Sequence, residues 1–69
     1  MPIITIEAGK MNKDQKDALI RDLTQTASAI LKIPEQSFIV VLKENDPDNI
    51  GSGGKMLSKI IAERNRSNT

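Results

Sequence analysis

Residues 37–44 read SFIVVLKE, and this stretch decides the fold predicted for the chain. Five apolar residues follow one another from Phe38 to Leu42. They lack the alternation of apolar and polar residues that is typical of a strand with one face in water. The run is also short and rich in residues that favour strands. It therefore predicts a β-strand that is covered on both faces.

The segments before this strand predict a parallel β-α-β unit. Residues 3–7, IITIE, favour a first strand, and residues 13 to about 32 favour a helix that ends ahead of Pro34. Asn12 is predicted to cap this helix, with Gln15 completing a capping box. Apolar residues at helical spacing form one predicted stripe, namely Leu19, Ile20, Leu23, Ala27, Ile30 and Leu31. Two strands joined by such a helix are expected to be parallel with a right-handed crossover, which makes the fold class α+β.

The remainder of the chain offers too little to cover the second face of that sheet. Residues 45–54, NDPDNIGSGG, predict a loop, and residues 55–64 predict a short helix or an arm that packs on a neighbour. Residues 67–69 are expected to be frayed. The chain has 69 residues, no cysteine and no histidine, so disulfides are excluded and a structural zinc site is improbable. We therefore predict a single domain over residues 1–69 that forms a homo-oligomer.

Composition argues against several classes of function. The net charge is +1 and the only aromatic residue is one phenylalanine, whereas nucleic-acid binders carry a basic patch and often aromatic platforms. No apolar run approaches the length of a membrane span, and the N-terminus lacks the pattern of a signal peptide. Residues 51–55 lack the spacing of a phosphate-binding loop. These observations predict a cytoplasmic protein with no nucleic-acid or membrane partner.

The second residue is the one unusual candidate for catalysis. Without histidine or cysteine, the common nucleophile–base pairs cannot form. Met1 before a small residue is normally removed, which would leave Pro2 with a free secondary amine. An α-amino group titrates near pH 8, and an apolar pocket lowers that pKa further, so Pro2 would suit proton transfer near neutrality. The alternative is that Pro2 only begins a strand, a common place for proline.

Several stretches in order resemble one known family. They are the initial MP, the Gly9-Lys10 loop, DQKDALIRDLT, VVLKE and NIGSGGKMLS, which together extend from residue 2 to about residue 59. The chain resembles the 4-oxalocrotonate tautomerase family, and in particular its short DmpI-type members. The resemblance implies the tautomerase (MIF-like) fold, a C-terminal hairpin, and a homohexamer built from dimers. It also implies an isomerase of aromatic catabolism, in which the N-terminal proline moves a proton on an enol or 2-oxo acid such as 2-hydroxymuconate, without metal or cofactor.

The residues expected to bind the substrate depart from the family pattern. The family uses two arginines, the first of which follows a glycine in the loop before the helix. That context makes Lys10 the candidate here, whereas counting back from the helix gives Met11, and Ile39 stands in place of the second arginine. Lys43, on the same side of the second strand as Ile39, is a possible replacement cation. Ile50 matches a family aromatic that keeps the pocket apolar. We therefore expect low activity on a dicarboxylate and higher activity on a monoanionic or aromatic enol. The alternatives are a non-catalytic oligomeric module with this fold, or a proline-dependent dehalogenase or decarboxylase.

Overall fold

Two parallel strands and the helix that joins them form the body of the chain. The computed structural model describes residues 1–67, and the side chains of residues 1–65. Strand β1 is Ile3–Ala8, helix α1 is Lys13–Leu31, and strand β2 is Ile39–Glu44. β1 and β2 pair in parallel, with Ile3 opposite Ile39 and Ala8 opposite Glu44. The predicted β-α-β unit with parallel strands is confirmed.

Helix α1 begins and ends where the sequence predicts. The Asn12 side chain accepts a hydrogen bond from the Gln15 N–H at 2.8 Å, and the Gln15 side chain accepts one from the Asn12 N–H at 3.0 Å. These reciprocal bonds satisfy two donors that the first turn leaves free. At the other end, Lys32 has a left-handed backbone (φ 57°) and its N–H donates to the Ser28 carbonyl at 2.8 Å. The predicted capping box is confirmed, and the helix ends before Pro34.

The start of β2 differs from the prediction. Residues 35–37 form a 3₁₀ turn, in which the Ser37 N–H donates to Pro34 O at 3.0 Å and the Phe38 N–H donates to Glu35 O at 3.0 Å. These N–H groups are therefore unavailable to the sheet, and the strand begins at Ile39 rather than at residue 37.

Only one face of the sheet is covered within the chain. Ile4, Ile6, Val40 and Leu42 lie on the half-buried face under α1. The other face, which we call the open face, carries exposed apolar residues, of which Ile3 is 63% exposed, Ile39 42% and Val41 37%. This agrees with the prediction that the chain offers too little to cover the second face, because a single helix can pack on only one side of a sheet. That another copy covers the open face stays a prediction.

The apolar stripe of α1 is wider and longer than the surface it covers. Leu19, Leu23 and Ala27 are half-buried, whereas Ile20, Ile30 and Leu31 are 43%, 73% and 53% exposed. A helix of 19 residues is about 28 Å long at 1.5 Å per residue, and strands of six residues span about 20 Å at 3.3 Å per residue. The C-terminal turns of α1 therefore extend beyond the sheet, which explains why Ile30 and Leu31 remain exposed.

The C-terminal segment is a hairpin followed by a second helix. After a 3₁₀ turn at Pro47–Asn49, strands β3 (Gly51–Ser52) and β4 (Lys55–Met56) pair antiparallel, as the predicted hairpin requires. Gly53 and Gly54 connect them with φ of 62° and 81°, a left-handed backbone that favours glycine. Helix α2 is Leu57–Ser67, which confirms the helical alternative. Ser67 is helical rather than frayed, and the expectation for residues 68 and 69 lies outside the described residues.

The chain has more surface than a self-contained protein of its size. Its accessible surface is 5518 Å², compared with about 4,300 Å² expected for a folded monomer of 7.6 kDa. Its radius of gyration is 16.2 Å, compared with about 11 Å for a compact chain of 69 residues. None of the residues 1–65 is fully buried. Within the described part of the chain, neither helix is both long and apolar enough to cross a membrane.

Candidate active site

Pro2 lies at the N-terminal edge of the sheet, where its position is fixed by β2. The Pro2 carbonyl accepts a hydrogen bond from the Ile39 N–H at 3.1 Å, which extends the parallel ladder by one bond beyond Ile3. Pro2 is half-buried, and its neighbours are apolar: Ile3 in β1, Ile39 in β2, and Phe38 just before β2. A group at this position is held by the backbone of β1 and β2 and has apolar residues as neighbours.

The two candidate cations lie towards the opposite edge of the same sheet. Lys10 is exposed in the loop between β1 and α1, so the whole length of β1, about 20 Å, separates it from Pro2. Lys43 lies opposite Glu7 near the C-terminal end of β2, on the open face as predicted, and about 13 Å along the strand from Ile39.

Ile50 lies beyond β2, after the Pro47–Asn49 turn. It is half-buried, and its carbonyl accepts a hydrogen bond from the Leu57 N–H at 2.8 Å, at the base of the hairpin. Of the five predicted site residues, one chain thus brings together only Pro2 and Ile39. Lys10 and Lys43 are too far from Pro2 for one small molecule to contact either cation and Pro2 within a single chain.

Glu44, which no sequence motif marks, organises the edge near Lys10. One Glu44 carboxylate oxygen accepts a hydrogen bond from the Lys16 ammonium at 2.7 Å, and the other accepts one from the Met11 N–H at 3.0 Å. The Lys16 hydrogen bond, the Met11 N–H and the nearby charges of Lys16 and Lys10 lower the pKa of the Glu44 carboxyl below its usual range. No sequence signal links Glu44 to Lys16, since the contact depends on how α1 packs beside the end of β2.

A family model described as tautomerase enzyme matches residues 2–60, which include every candidate site residue. The chain belongs to the tautomerase family. It is 37% identical over 62 residues to a probable tautomerase of Listeria monocytogenes, and the match covers 87% of this chain and 100% of the relative. It is also 37% identical over 62 residues to the 2-hydroxymuconate tautomerase of Pseudomonas putida, with 87% of this chain and 97% of the relative covered.

Solved structures of tautomerase-family proteins share the fold. The unfused 4-OT superimposes with a TM-score of 0.79 at 30% identity, and the match covers 86% of this chain and 98% of that structure. DmpI from Helicobacter pylori gives a TM-score of 0.74 at 27% identity, covering 84% and 98%. A heterohexamer 4-oxalocrotonate tautomerase from Chloroflexus aurantiacus gives a TM-score of 0.74 at 20% identity, covering 87% and 97%, and is similar in fold alone. The predicted resemblance to the 4-oxalocrotonate tautomerase family is confirmed.

One concave surface of this tautomerase-family chain lies along α1 and does not include Pro2. It is an open, mostly apolar groove of about 420 Å³ along one side of α1, lined by Met11, Gln15, Ala18, Leu19, Asp22 and Leu23. The groove lies nearer to the edge with Lys10 than to the edge with Pro2. Among the described residues, no three His, Cys, Asp or Glu side chains come together in a way that could hold a metal ion.

Proposed function

We propose that the chain is a cofactor-independent keto–enol tautomerase in which Pro2, freed by removal of Met1, is the general base and acid. The observation that carries the proposal is the position of Pro2 at the apolar edge of a tautomerase-family sheet, half-buried and held by the Ile39 N–H. An amine in apolar surroundings loses hydration of its charged form, which lowers its pKa. Such a nitrogen is partly unprotonated at neutral pH and can accept a proton.

The proposed reaction moves one proton and leaves the substrate otherwise unchanged. The neutral Pro2 nitrogen accepts the hydroxyl proton of an enol, the electron pair of that O–H bond forms the carbonyl, and the electron pair of the carbon–carbon double bond is released to bind a proton at carbon. The protonated Pro2 then returns the proton to carbon. The sum is an isomerisation, so the reaction requires no oxidant, reductant or co-reactant. The name of the Pseudomonas putida relative points to 2-hydroxymuconate as one compound to assay.

The proposed site is shared between copies of the chain. Because about 20 Å separates Lys10 from Pro2 within a chain, Lys10 can serve a substrate at Pro2 only if it comes from a second copy. The open face and about 1,200 Å² of excess surface provide the area for such an association, whose standard size is about 800 Å² per partner. From the resemblance to the 4-oxalocrotonate tautomerase family, we infer that this chain forms a homohexamer built from dimers.

The two candidate cations have different proposed roles. We assign Lys10 as the partner of the substrate carboxylate and Lys43 as a weaker contributor on the open face. Ile39 and Ile50 supply apolar contacts rather than charge. Because a lysine is a point charge without the bidentate geometry of an arginine, and Lys43 contributes only weakly, a dicarboxylate is expected to be a poorer substrate than a monoanionic enol such as that of phenylpyruvate. A kcat/KM on 2-hydroxymuconate equal to that on phenylpyruvate enol would contradict this preference.

The decisive experiment compares two forms of the same protein. Intact mass first separates protein that has lost Met1 from protein that retains it, in which the Pro2 nitrogen is an amide and cannot accept a proton. The form that retains Met1 should ketonise phenylpyruvate enol at least about 100-fold more slowly, the lower range for loss of a general base. Pro2→Ala should also be slower than the wild type, whereas Pro47→Ala, the same change in a turn, should not. Equal rates for the wild type and Pro2→Ala would rule out catalysis by proline.

A second experiment tests the assignment of Lys10. Lys10→Ala should raise KM for phenylpyruvate enol about tenfold, corresponding to about 1.4 kcal/mol of lost binding. Lys13→Ala removes a similarly exposed lysine from the first turn of α1 and should leave KM unchanged. Equal values of KM for the two variants would refute the role of Lys10.

The apolar side chain of Ile39 favours one other candidate function. A chain that lacks a charge beside Pro2 could be an oligomeric module without catalysis. In that case the Met1-free protein would assemble fully, and Pro2→Ala would not reduce its rate of turnover of any enol.

A further inference from the structure

The loop that carries Lys10 is tied to the end of β2 by one side chain. Glu44 is the last residue of β2 and pairs with Ala8, the last residue of β1. Its carboxylate accepts the Met11 N–H at 3.0 Å and the Lys16 ammonium at 2.7 Å. Both partners follow Lys10 in the chain, so Glu44 connects the end of β2 to the segment that enters α1.

The loop is thereby held on both sides of Lys10. Before it, the Ala8 carbonyl accepts a hydrogen bond from the Asn45 N–H at 2.7 Å, which fixes the end of β1. After it, Glu44 holds the Met11 N–H and the capping box holds Asn12. Without Glu44, the Met11 N–H would have to be satisfied by water, and the Lys10 backbone would lose one of its two nearest fixed points.

Because Glu44 forms its ion pair with Lys16, the Lys10 ammonium remains available to bind an anion. Lys16 and Glu44 form an ion pair in which both side chains are about one-third exposed, at 37% and 36%. Because Lys16 compensates the carboxylate at contact distance, Glu44 holds the loop through the Met11 backbone rather than by capturing the Lys10 ammonium. Within residues 1–65, Lys10 forms no ion pair, and the three groups together keep a net positive charge.

We propose that Glu44 is a positioning residue for Lys10, ordering the loop over residues 9–12 so that the Lys10 ammonium is placed to bind the substrate carboxylate. This inference rests on the proposed role of Lys10 in the tautomerase. Ordering the loop before the substrate arrives reduces the entropy lost on binding, so the effect should be on affinity for anions rather than on the proton-transfer step. Lys16 has the supporting role of holding the Glu44 carboxylate in place.

The kinetic experiment compares an acid with its ester. Glu44→Ala should raise KM for phenylpyruvate enol on the order of fivefold, a factor typical for one net intramolecular hydrogen bond, with little change in kcat. For the enol of phenylpyruvate methyl ester, which lacks the carboxylate, KM should not change. Glu7→Ala is the matched control, since it removes an acid from the same edge whose carboxylate bonds to the Asn45 side chain and not to the loop.

A structural readout makes the test independent of catalysis. In Glu44→Ala, the Met11 amide should exchange with solvent faster than in the wild type, while the Gln15 amide, held by the capping box, should not. Glu44→Gln can still accept from the Met11 N–H through its carbonyl oxygen, so it should restore most of the protection and most of the affinity. Size-exclusion chromatography should show the wild-type assembly for all variants.

The outcomes separate this inference from the proposed function. Unchanged Met11 exchange in Glu44→Ala, or equal increases in KM for the acid and the ester, would overturn the role of Glu44. If enol turnover does not depend on Pro2, a binding titration replaces the kinetic test. Its probe is 3-phenylpropanoate, a carboxylate that does not react. Weaker binding of that probe to Glu44→Ala would then support the positioning role even though the tautomerase had failed, and equal binding would overturn the role.

Discussion

Replacing Val41 with lysine should break the assembly into smaller species without unfolding the chain. Val41 lies in the middle of the open face, opposite Thr5 and on the same side as Ile3 and Ile39. Its side chain points away from α1, so the substitution leaves the packing under the helix intact. In one chain the new ammonium would be in water, whereas in an assembly that covers the open face it would be buried.

The size of the effect follows from the exposed fractions. Ile3, Ile39 and Val41 are 63%, 42% and 37% exposed, together about one and a half apolar side chains, and burying them contributes about 2–4 kcal/mol per chain. A lysine with an ordinary pKa near 10.4 must lose its proton to be buried without a partner, which costs about 4–5 kcal/mol at pH 7. The cost is at least as large as the gain, so covering the open face should no longer be favourable.

The assay is the molar mass of each variant over a range of concentrations, measured by sedimentation or by light scattering after chromatography. The wild type should have a mass that is a multiple of 7.6 kDa, and Val41→Lys should have a smaller multiple with the same helix content. Val41→Ile keeps the face apolar, and Gln25→Lys adds the same charge to an exposed residue of α1. Both controls should keep the wild-type mass. Raising the pH towards 10 should partly restore assembly of Val41→Lys, because the lysine becomes neutral.

Two results would refute the reasoning. A wild type that is monomeric at all concentrations would show that the open face needs no cover. A Val41→Lys protein with the wild-type mass would show that the assembly covers some other surface. If the assembly does dissociate, kcat/KM on phenylpyruvate enol should fall with it, since Pro2 and Lys10 of one chain lie at opposite edges of the sheet.

Three further predictions concern stability. Asn12→Ala removes the side-chain half of the capping box and should lower the free energy of unfolding by about 1 kcal/mol in urea titrations. Gly54→Ala, at φ 81°, should lower it by about 1–3 kcal/mol, whereas Gly9→Ala, which has ordinary φ and no atom near the added Cβ, should have a much smaller effect. The folded state lowers the pKa of Glu44, so the unfolded state binds more protons in acid. The stabilisation by Glu44 should therefore be constant above the usual glutamate pKa and disappear as pH falls through the lowered value.

Each of these predictions can fail clearly. An Asn12→Ala protein as stable as the wild type would mean that the cap contributes nothing measurable. Equal losses in the free energy of unfolding for Gly54→Ala and Gly9→Ala would show that the left-handed backbone at Gly54 does not cause the loss. For Glu44, the melting temperatures of the wild type and Glu44→Gln should converge as the pH is lowered, and a difference that stays constant down to strongly acid pH would contradict the ion-pair account.

Much of the local structure could be predicted from neighbouring residues. The Asn12 and Gln15 capping box, the end of α1 before Pro34 and the two central strands depend on interactions within a few residues, so their sequence signals are direct. β2 starts two residues later than predicted, because the turn before it uses the N–H groups that the strand would otherwise use. The exposure of Ile30 and Leu31 was also missed, since periodicity gives the direction of a side chain but not the length of the sheet beneath it.

The candidate site was likewise predictable from the sequence only in part. The sequence alone determined the β-α-β unit, the capped helix and the unusual second residue, because each depends on residue types and short-range spacing. Only the tertiary structure decided that Pro2 and Lys10 lie at opposite edges of one sheet and that Glu44 holds the loop beside Lys10. The Glu44–Lys16 contact joins residues 28 positions apart, and such a contact is created when the helix folds back on the strands rather than by any local pattern.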